Sequence, residues 1–480
     1  MTLKNLLTGI EGVKIIGDDS VEIKDVTSDS KTVGVGTLFI CINGENTDSH
    51  ALARQVEKYG AVALVVERKL DVGITQIVVD NTRRAMSIIA SNLHGNPDKK
   101  LKIIAVTGTN GKTTTSHLIG KILNGCGIKC GVIGTLGTFY ENKYLEPTLT
   151  TPDPLVLYKI LDDMVKCGVQ AVAMEASAHA IFYDKLEGLK FKVAIFTNLT
   201  HDHLDFFENL DNYKSVKKSL FLKNHVQYAL INSDDSIGLE LINEIDGALS
   251  YGIENPADVF SLNVKQKADC TEFVLNVFDY VYNAKIKLNG LFNVYNSMAA
   301  VGACSLLGAP VDKVVEQLEL VNGIDGRLEC VYDRNFSVFI DYAHTPDGLK
   351  SSLNALKKVC KGKLICVFGC GGNRDEYKRK IMGEISGEIA DFTIITTDNP
   401  RFEDPMDIIW EIEKGVKSKT REYVIIQDRI SAIEYSINFA KPKDVVIIAG
   451  KGSERYQEVF GIKKPYNDKD TVKTFLRELK

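Results

Sequence analysis

The chain has 480 residues and a formal net charge of −5 at pH 7, with a pI near 6.0. That length calls for roughly three domains at ~150 residues each, and the acidic balance argues against a nucleic-acid-binding surface. No apolar run approaches the ~18 residues of a membrane span, residues 1–6 lack a signal-peptide core, and the ten cysteines form no C-x-x-C pair, so a cytosolic protein with reduced cysteines, no zinc and no membrane insertion is expected.

In chain order, residues 36–42 read as a strand, 50–59 as a helix and 61–66 as the next strand. They place a small α/β unit over residues 1–98, closed by the breaker cluster His94-Gly95-Asn96-Pro97-Asp98. A second segment, 99–326, opens with a buried strand at 101–106 and continues with strands at 171–174, 193–196 and 228–231. The third, 327–480, carries strands at 338–340, 364–368, 392–395 and 444–448. Short apolar runs separated by helical spacing predict an α/β protein of parallel, doubly wound sheets. Ligands are then expected beyond the carboxyl ends of the strands.

The first strand of the second segment runs into Thr107-Gly108-Thr109-Asn110-Gly111-Lys112-Thr113-Thr114, with helical spacing from Ser116 to Leu123. A glycine-rich turn between strand and helix aims backbone N–H groups and a helix N-terminus at an anion. Lys112 is placed to reach the β- and γ-phosphates of ATP, and the Thr113 hydroxyl to hold Mg²⁺. The usual pattern has a glycine five residues before Gly111, where this chain has Val106. This shortened loop points away from GTPases and ordinary kinases.

Glu175 follows the apolar strand at 171–174, where a carboxylate is placed to ligate Mg²⁺. His201-Asp202-His203-Leu204-Asp205 sets two histidines and two aspartates in five residues after another strand, a density that marks an ion or phosphate site. By spacing alone, Tyr213-Lys214-Ser215-Val216-Lys217-Lys218 is a basic helix face.

These motifs, with Asn198-Leu199-Thr200, Leu291-Phe292-Asn293-Val294-Tyr295-Asn296, Gly326-Arg327-Leu328-Glu329, Asp341-Tyr342-Ala343-His344-Thr345-Pro346 and Asp398-Asn399-Pro400-Arg401, occur in an order that resembles the Mur ligases of peptidoglycan precursor synthesis over essentially the whole chain. The resemblance implies a three-domain architecture, with a UDP-precursor-binding domain at 1–98, a central P-loop ATPase domain at 99–326 and a C-terminal Rossmann-like, amino-acid-binding domain at 327–480. It implies ATP-driven amide formation through an acyl phosphate, joining meso-2,6-diaminopimelate to UDP-N-acetylmuramoyl-L-alanyl-D-glutamate. The first segment and the Asp398–Arg401 motif set the chain apart from folylpolyglutamate synthetases of the same superfamily.

Carried over residue by residue, the resemblance assigns Thr113, Glu175, His203 and an N-carbamylated Lys217 to Mg²⁺, and Lys112, Glu175, His203 and Lys217 to catalysis. A carbamate replaces an ammonium with an anion that can hold a divalent cation. Gly108, Thr109, Asn110, Gly111, Lys112, Thr113, Thr114, Asn293, Arg327, Asp341 and His344 are assigned to ATP. Ser28, Ser30 and the loop 44–48 are assigned to the uridine and diphosphate, and Thr150, Thr151, Ser177 and Lys185 to the muramoyl-peptide. Four positions depart from the family pattern: Lys31 and Lys185 replace arginines, Ala178 a serine and Tyr183 a glutamine. Arg374, Asp398, Asn399, Pro400, Arg401, Gly450 and Glu454 are assigned to the incoming amino acid. A monomer is expected, with no nucleic-acid partner.

Overall fold

The computed structural model describes residues 1–44, 47–200, 204–207, 209–223, 225–267 and 270–478. The chain forms two compact units. One comprises Met1–Thr107, Gly127–Ala194 and Val216–Ala229; the other comprises Gly108–Cys126, Ile195–Ser215 and Leu230–Lys480.

In the first unit a five-stranded sheet runs in the order Lys14–Ile16, Thr75–Val78, Ala61–Val66, Thr37–Ile40, Asp25–Thr27. Its strands are parallel except Lys14–Ile16 at the edge. Leu38, Ile40, Ala63, Val65 and Ile77 pack on one face with Ala85, Met86 and Ile89 of helix Thr82–Leu93. Phe39, Leu64 and Val66 fill the other with Val56. Burial on both faces is why these strands read as unbroken apolar runs. The helix expected at 50–59 is a 3₁₀ turn, Ser49–Leu52, followed by an α-helix, Ala53–Lys58. The Asp48 carboxylate caps the turn through His50 N–H at 3.0 Å.

The same unit holds a parallel trio in which Ala171–Glu175 lies between Lys102–Thr107 and Cys130–Gly134. Gly137–Tyr140 and Lys143–Leu145 extend it in antiparallel fashion.

In the second unit the helix after the glycine-rich loop is Lys112–Gly125, starting a turn earlier than the spacing from Ser116 indicated. Strands Val259–Gln266, Thr271–Val277 and Tyr280–Ile286 form an antiparallel meander. This corrects the expectation of wholly parallel sheets. Burial alternates along Thr271–Val277, so one face is covered and the other is wet, an arrangement open to antiparallel but not to doubly wound parallel strands.

The C-terminal sheet of this unit has the order Glu329–Asp333, Ser337–Asp341, Val445–Ala449, Leu364–Phe368, Phe392–Ile395, Tyr423–Ile425. All but the first strand are parallel. Residues of helices Pro346–Val359, Tyr377–Ile389 and Pro405–Lys417 pack on one face, and those of Arg429–Phe439 and Asp468–Glu478 on the other. From Leu364–Phe368 the chain proceeds to Phe392–Ile395 on one side, while Val445–Ala449 lies on the other. This reversal opens a crevice at the carboxyl ends of the two central strands, as Rossmann-like sheets do.

Candidate active site

Glycine is required twice in the loop between strand Lys102–Thr107 and helix Lys112–Gly125. Gly108 has φ +140, and a Cβ there would stand 1.9 Å from Thr197 Oγ1. Gly111 has φ +88, and its Cβ would meet Asn296 Oδ1 at 2.5 Å. The loop is fastened from residues 197–200: Thr109 N–H donates to Asn198 O at 2.8 Å, Asn110 N–H to Asn198 Oδ1 at 2.9 Å, and Thr197 Oγ1 to Asn110 O at 2.6 Å. Asp235 accepts from Leu199 N–H at 2.9 Å and also caps helix Ser236–Glu244. Lys112 Nζ curls back to Gly108 O and Thr109 O, each at 2.8 Å. Thr114 is buried on the first turn of the helix.

Residues distant in sequence reach this loop. Arg327 Nη2 donates to Thr113 Oγ1 at 2.9 Å, and its guanidinium lies 4.3 Å over the Tyr342 ring. Arg327 Nε is buried and has no hydrogen-bond partner among the described residues. Asn110 Nδ2 donates to Asp347 Oδ2 at 3.0 Å. Asp347 stands on the first turn of helix Pro346–Val359, and burial raises its pKa. Asn293 is buried, donating to Asn289 O at 2.7 Å and accepting from Asn296 Nδ2 at 3.0 Å. His344 Nδ1 lies 2.8 Å from Tyr342 O. Asp341, assigned to the nucleotide by resemblance, has both oxygens engaged within the protein. Leu328 N–H and Tyr342 N–H donate to Oδ1, and Ser352 Oγ to Oδ2. Burial raises its pKa against those bonds.

In the first unit, Glu175 ends its strand fully buried. Thr135 holds its carboxylate, N–H to Oε1 at 2.8 Å and Oγ1 to Oε2 at 3.1 Å, while Thr135 Oγ1 lies 3.2 Å from Thr150 Oγ1. Thr151 Oγ1 donates to Glu175 O at 2.8 Å and accepts from Ser177 N–H at 3.1 Å. Ser177 caps helix Ala178–Phe182. Thr150, Thr151, Glu175 and Ser177 are therefore brought together at one strand end. Lys185 Nζ pairs with Asp153 Oδ1 at 2.7 Å, and the Arg83 guanidinium lies 4.3 Å over the Tyr183 ring. Lys217, read by spacing as a solvated face, is 1% exposed. Ser28 and Ser30 lie half-buried in a turn after strand Asp25–Thr27. His203, with His201 and Asp202, lies outside the described residues, as do Glu45 and Asn46. Among the described residues no group of three or more His, Cys, Asp or Glu side chains forms a metal cluster.

The crevice of the C-terminal sheet gathers the residues assigned to the amino acid. Gly450 has φ +109, and a Cβ there would stand 2.6 Å from Asp398 Oδ2. Asp398 Oδ1 accepts from Asn399 N–H at 2.7 Å. Asn399 Nδ2 donates to Glu454 Oε2 at 2.9 Å. Pro400 is buried, and Arg401 holds φ +52, unusual for a residue with a side chain. Arg401 Nη1 donates to Gly372 O at 2.6 Å, and its Nε lies 3.4 Å from Glu458 Oε2. Arg374 is exposed on the loop that follows Gly372. Lys451 and Glu458 escaped the sequence reading, although Lys451 lies between two residues it selected. Asp347 and Thr135 escaped it as well, since a single acid or threonine in a loop carries no pattern.

Comparison with known proteins shows the family. Residues 106–304 match the Mur ligase middle domain, and 326–452 the Mur ligase glutamate ligase domain. A protein of Alkaliphilus oremlandii named UDP-N-acetylmuramoyl-L-alanyl-D-glutamate--2,6-diaminopimelate ligase is 42% identical over 96% of this chain and 95% of its own length. A Clostridium botulinum protein of the same name is 38% identical over the full length of both. A solved structure of a ligase with that name superposes with a TM-score of 0.73 at 31% identity, covering 100% of this chain and 99% of its own.

Proposed function

This chain belongs to the Mur ligases, and we propose from that membership that it joins meso-2,6-diaminopimelate to UDP-N-acetylmuramoyl-L-alanyl-D-glutamate with cleavage of ATP to ADP and phosphate. It works in the cytoplasm as a monomer, and its domains divide at residues 98 and 326.

The reading is carried by one juxtaposition. The loop at 108–113, with Arg327 donating to Thr113 at 2.9 Å, belongs to the same compact unit as the crevice of Asn399, Arg401 and Glu454. The substrate's terminal carboxylate attacks the γ-phosphorus of ATP, giving an acyl phosphate and ADP. The amine of diaminopimelate then attacks the acyl carbon, the tetrahedral intermediate expels phosphate, and the amide remains. Backbone N–H groups of the loop and the Lys112 ammonium meet the charge spreading over the transferring phosphoryl group. Arg327, already turned toward Thr113, adds a second cation there. No protein nucleophile is needed.

Taken one by one, the groups assigned to Mg²⁺ by resemblance are of the right kind: the buried carboxylate of Glu175, held at a strand end by Thr135, and the hydroxyl of Thr113 are each hard oxygen ligands. The resemblance adds His203 and a carbamate on Lys217, which is buried, to the ligands of the ions that would neutralise the phosphates. Thr150, Thr151, Ser177 and Lys185 bind the muramoyl-peptide, and Ser28, Ser30 and the loop 44–48 its UDP end. Arg401 meets the distal carboxylate of diaminopimelate, which lysine lacks, while Glu454 meets the distal ammonium.

The test is ADP release with UDP-N-acetylmuramoyl-L-alanyl-D-glutamate and either diaminopimelate or L-lysine. Diaminopimelate is expected to lead in kcat/KM by up to about 10⁴-fold, because lysine leaves a polar contact unmade. Arg401→Ala is expected to remove most of that lead. Comparable kcat/KM for the two amino acids in the parent enzyme would refute the assignment.

A further inference from the structure

We propose that Lys451 is a positioning residue that sets the selectivity of the crevice for an amino acid ending in both an ammonium and a carboxylate. The inference rests on the amino-acid site assigned above and goes beyond it, because the side chain lies beneath the groups assigned to substrate contact.

Strand Val445–Ala449 ends in a turn whose glycines, Gly450 at φ +109 and Gly452 at φ +53, leave the sheet sharply. Between them Lys451 folds inward and is 0% exposed. Its ammonium donates to Asn399 Oδ1 at 2.9 Å and to Glu454 Oε2 at 2.7 Å. The rings of Tyr456 and Tyr466 lie 5.8 and 6.0 Å from Nζ. A buried ammonium is costly unless it is paired and hydrogen-bonded, and both partners here are residues of the proposed substrate site.

Two consequences follow from the geometry. Asn399 Oδ1 accepts from Lys451 and also from Glu458 N–H at 2.9 Å. With two donors on the oxygen, the amide has one orientation, and its NH₂ must face Glu454, to which it donates at 2.9 Å. Lys451 and the Glu458 N–H together fix which end of Asn399 is offered as a donor. The second consequence is charge. Arg401 and Lys451 stand against Glu458 and Glu454, with the Asp398 carboxylate beside them, two cations to three anions. A ligand end that carries one ammonium and one carboxylate leaves that balance intact. A lone ammonium makes no use of Arg401 and meets a Glu454 already paired with Lys451. Without the Lys451 charge the frame becomes more negative and Glu454 loses its partner, which favours the lone ammonium over a ligand end that also carries a carboxylate.

The test compares Lys451→Met, Lys451→Gln and Lys451→Arg with the parent enzyme, reading kcat/KM for diaminopimelate and L-lysine, KM for ATP, and a thermal melt. Lys451→Met is expected to lose about ten- to a hundredfold in kcat/KM for diaminopimelate, the cost of a hydrogen bond to a charged group. Its preference over lysine should narrow at least about tenfold, with KM for ATP unchanged. Lys451→Gln keeps a donor for Asn399 without the charge, so its preference should narrow with a smaller loss of rate. Lys451→Arg should keep the preference. If Lys451→Met does not fold, Lys451→Gln decides the matter. Preference equal to the parent's in Lys451→Gln, or loss spread equally over both amino acids and ATP, overturns the proposal. A parent enzyme that shows no preference for diaminopimelate overturns the site assignment itself, and is read before any variant.

Discussion

Asp468 and Arg429 form a pair 0% and 1% exposed that ties the C-terminal helix to the turn carrying Lys451. Arg429 Nε donates to Asp468 Oδ1 and Nη2 to Oδ2, both at 2.8 Å, and Nη2 also reaches Ala449 O at 3.0 Å. Tyr466 OH adds a bond to Oδ1 at 2.6 Å. Asp468→Asn keeps the shape but removes the charge, leaving a guanidinium buried without its counter-ion. Two charge-assisted bonds at about 1.5–3 kcal/mol each agree with the roughly 3–5 kcal/mol typical of breaking a buried pair by removing one partner. Because the pair spans helix Asp468–Glu478, helix Arg429–Phe439 and the end of strand Val445–Ala449, the cost should appear as local opening. Amide hydrogen exchange over 445–452 and 468–478 should accelerate by roughly two to four orders of magnitude. The double variant Arg429→Met with Asp468→Leu should recover most of the protection, since apolar groups of similar volume commonly replace a buried pair at little cost. Acceleration below about tenfold in the single variant, or a double variant as open as the single one, would refute this reasoning.

Gly108→Ala should abolish nucleotide binding while leaving the helical circular dichroism intact. A Cβ 1.9 Å from Thr197 Oγ1 displaces the hydroxyl that holds Asn110 O, and the positive φ adds about 1–3 kcal/mol of strain; ATP affinity within tenfold of the parent's would contradict it. His117, half-buried on helix Lys112–Gly125, has its pKa lowered to about 4 by burial and by the charges of Lys121 and Arg327, against a smaller opposing effect of Asp325. Between pH 6.5 and about 4 the unfolded chain takes up a proton that the folded one refuses, so stability falls as pH drops through that window and is unaffected by this group above it. Urea midpoints across the window should fall less steeply in His117→Gln, and identical slopes in parent and variant would show that the histidine contributes nothing.

The phosphate loop was legible in the sequence because its chemistry lies within a few consecutive residues and its glycines answer to local backbone geometry. The parallel strands were legible because burial on both faces leaves unbroken apolar runs such as 61–66 and 364–368. The meander at 259–286 was not. Its strands alternate, and the two-residue turn joining Val277 to Tyr280 is built from Phe278 at φ +46 and Asp279 at φ +76, without the asparagine or glycine that normally marks such a hairpin. Lys217 and Lys451 look in sequence like any solvated lysine, and both prove to be buried. Arg327, 214 residues from Thr113, meets it through a single hydrogen bond. The identity of these residues could be read in chain order, but their surroundings come from strands and helices distant in sequence. Burial and partnership decide whether a charge is a surface ornament or a working group, and those are properties of the packed tertiary structure alone.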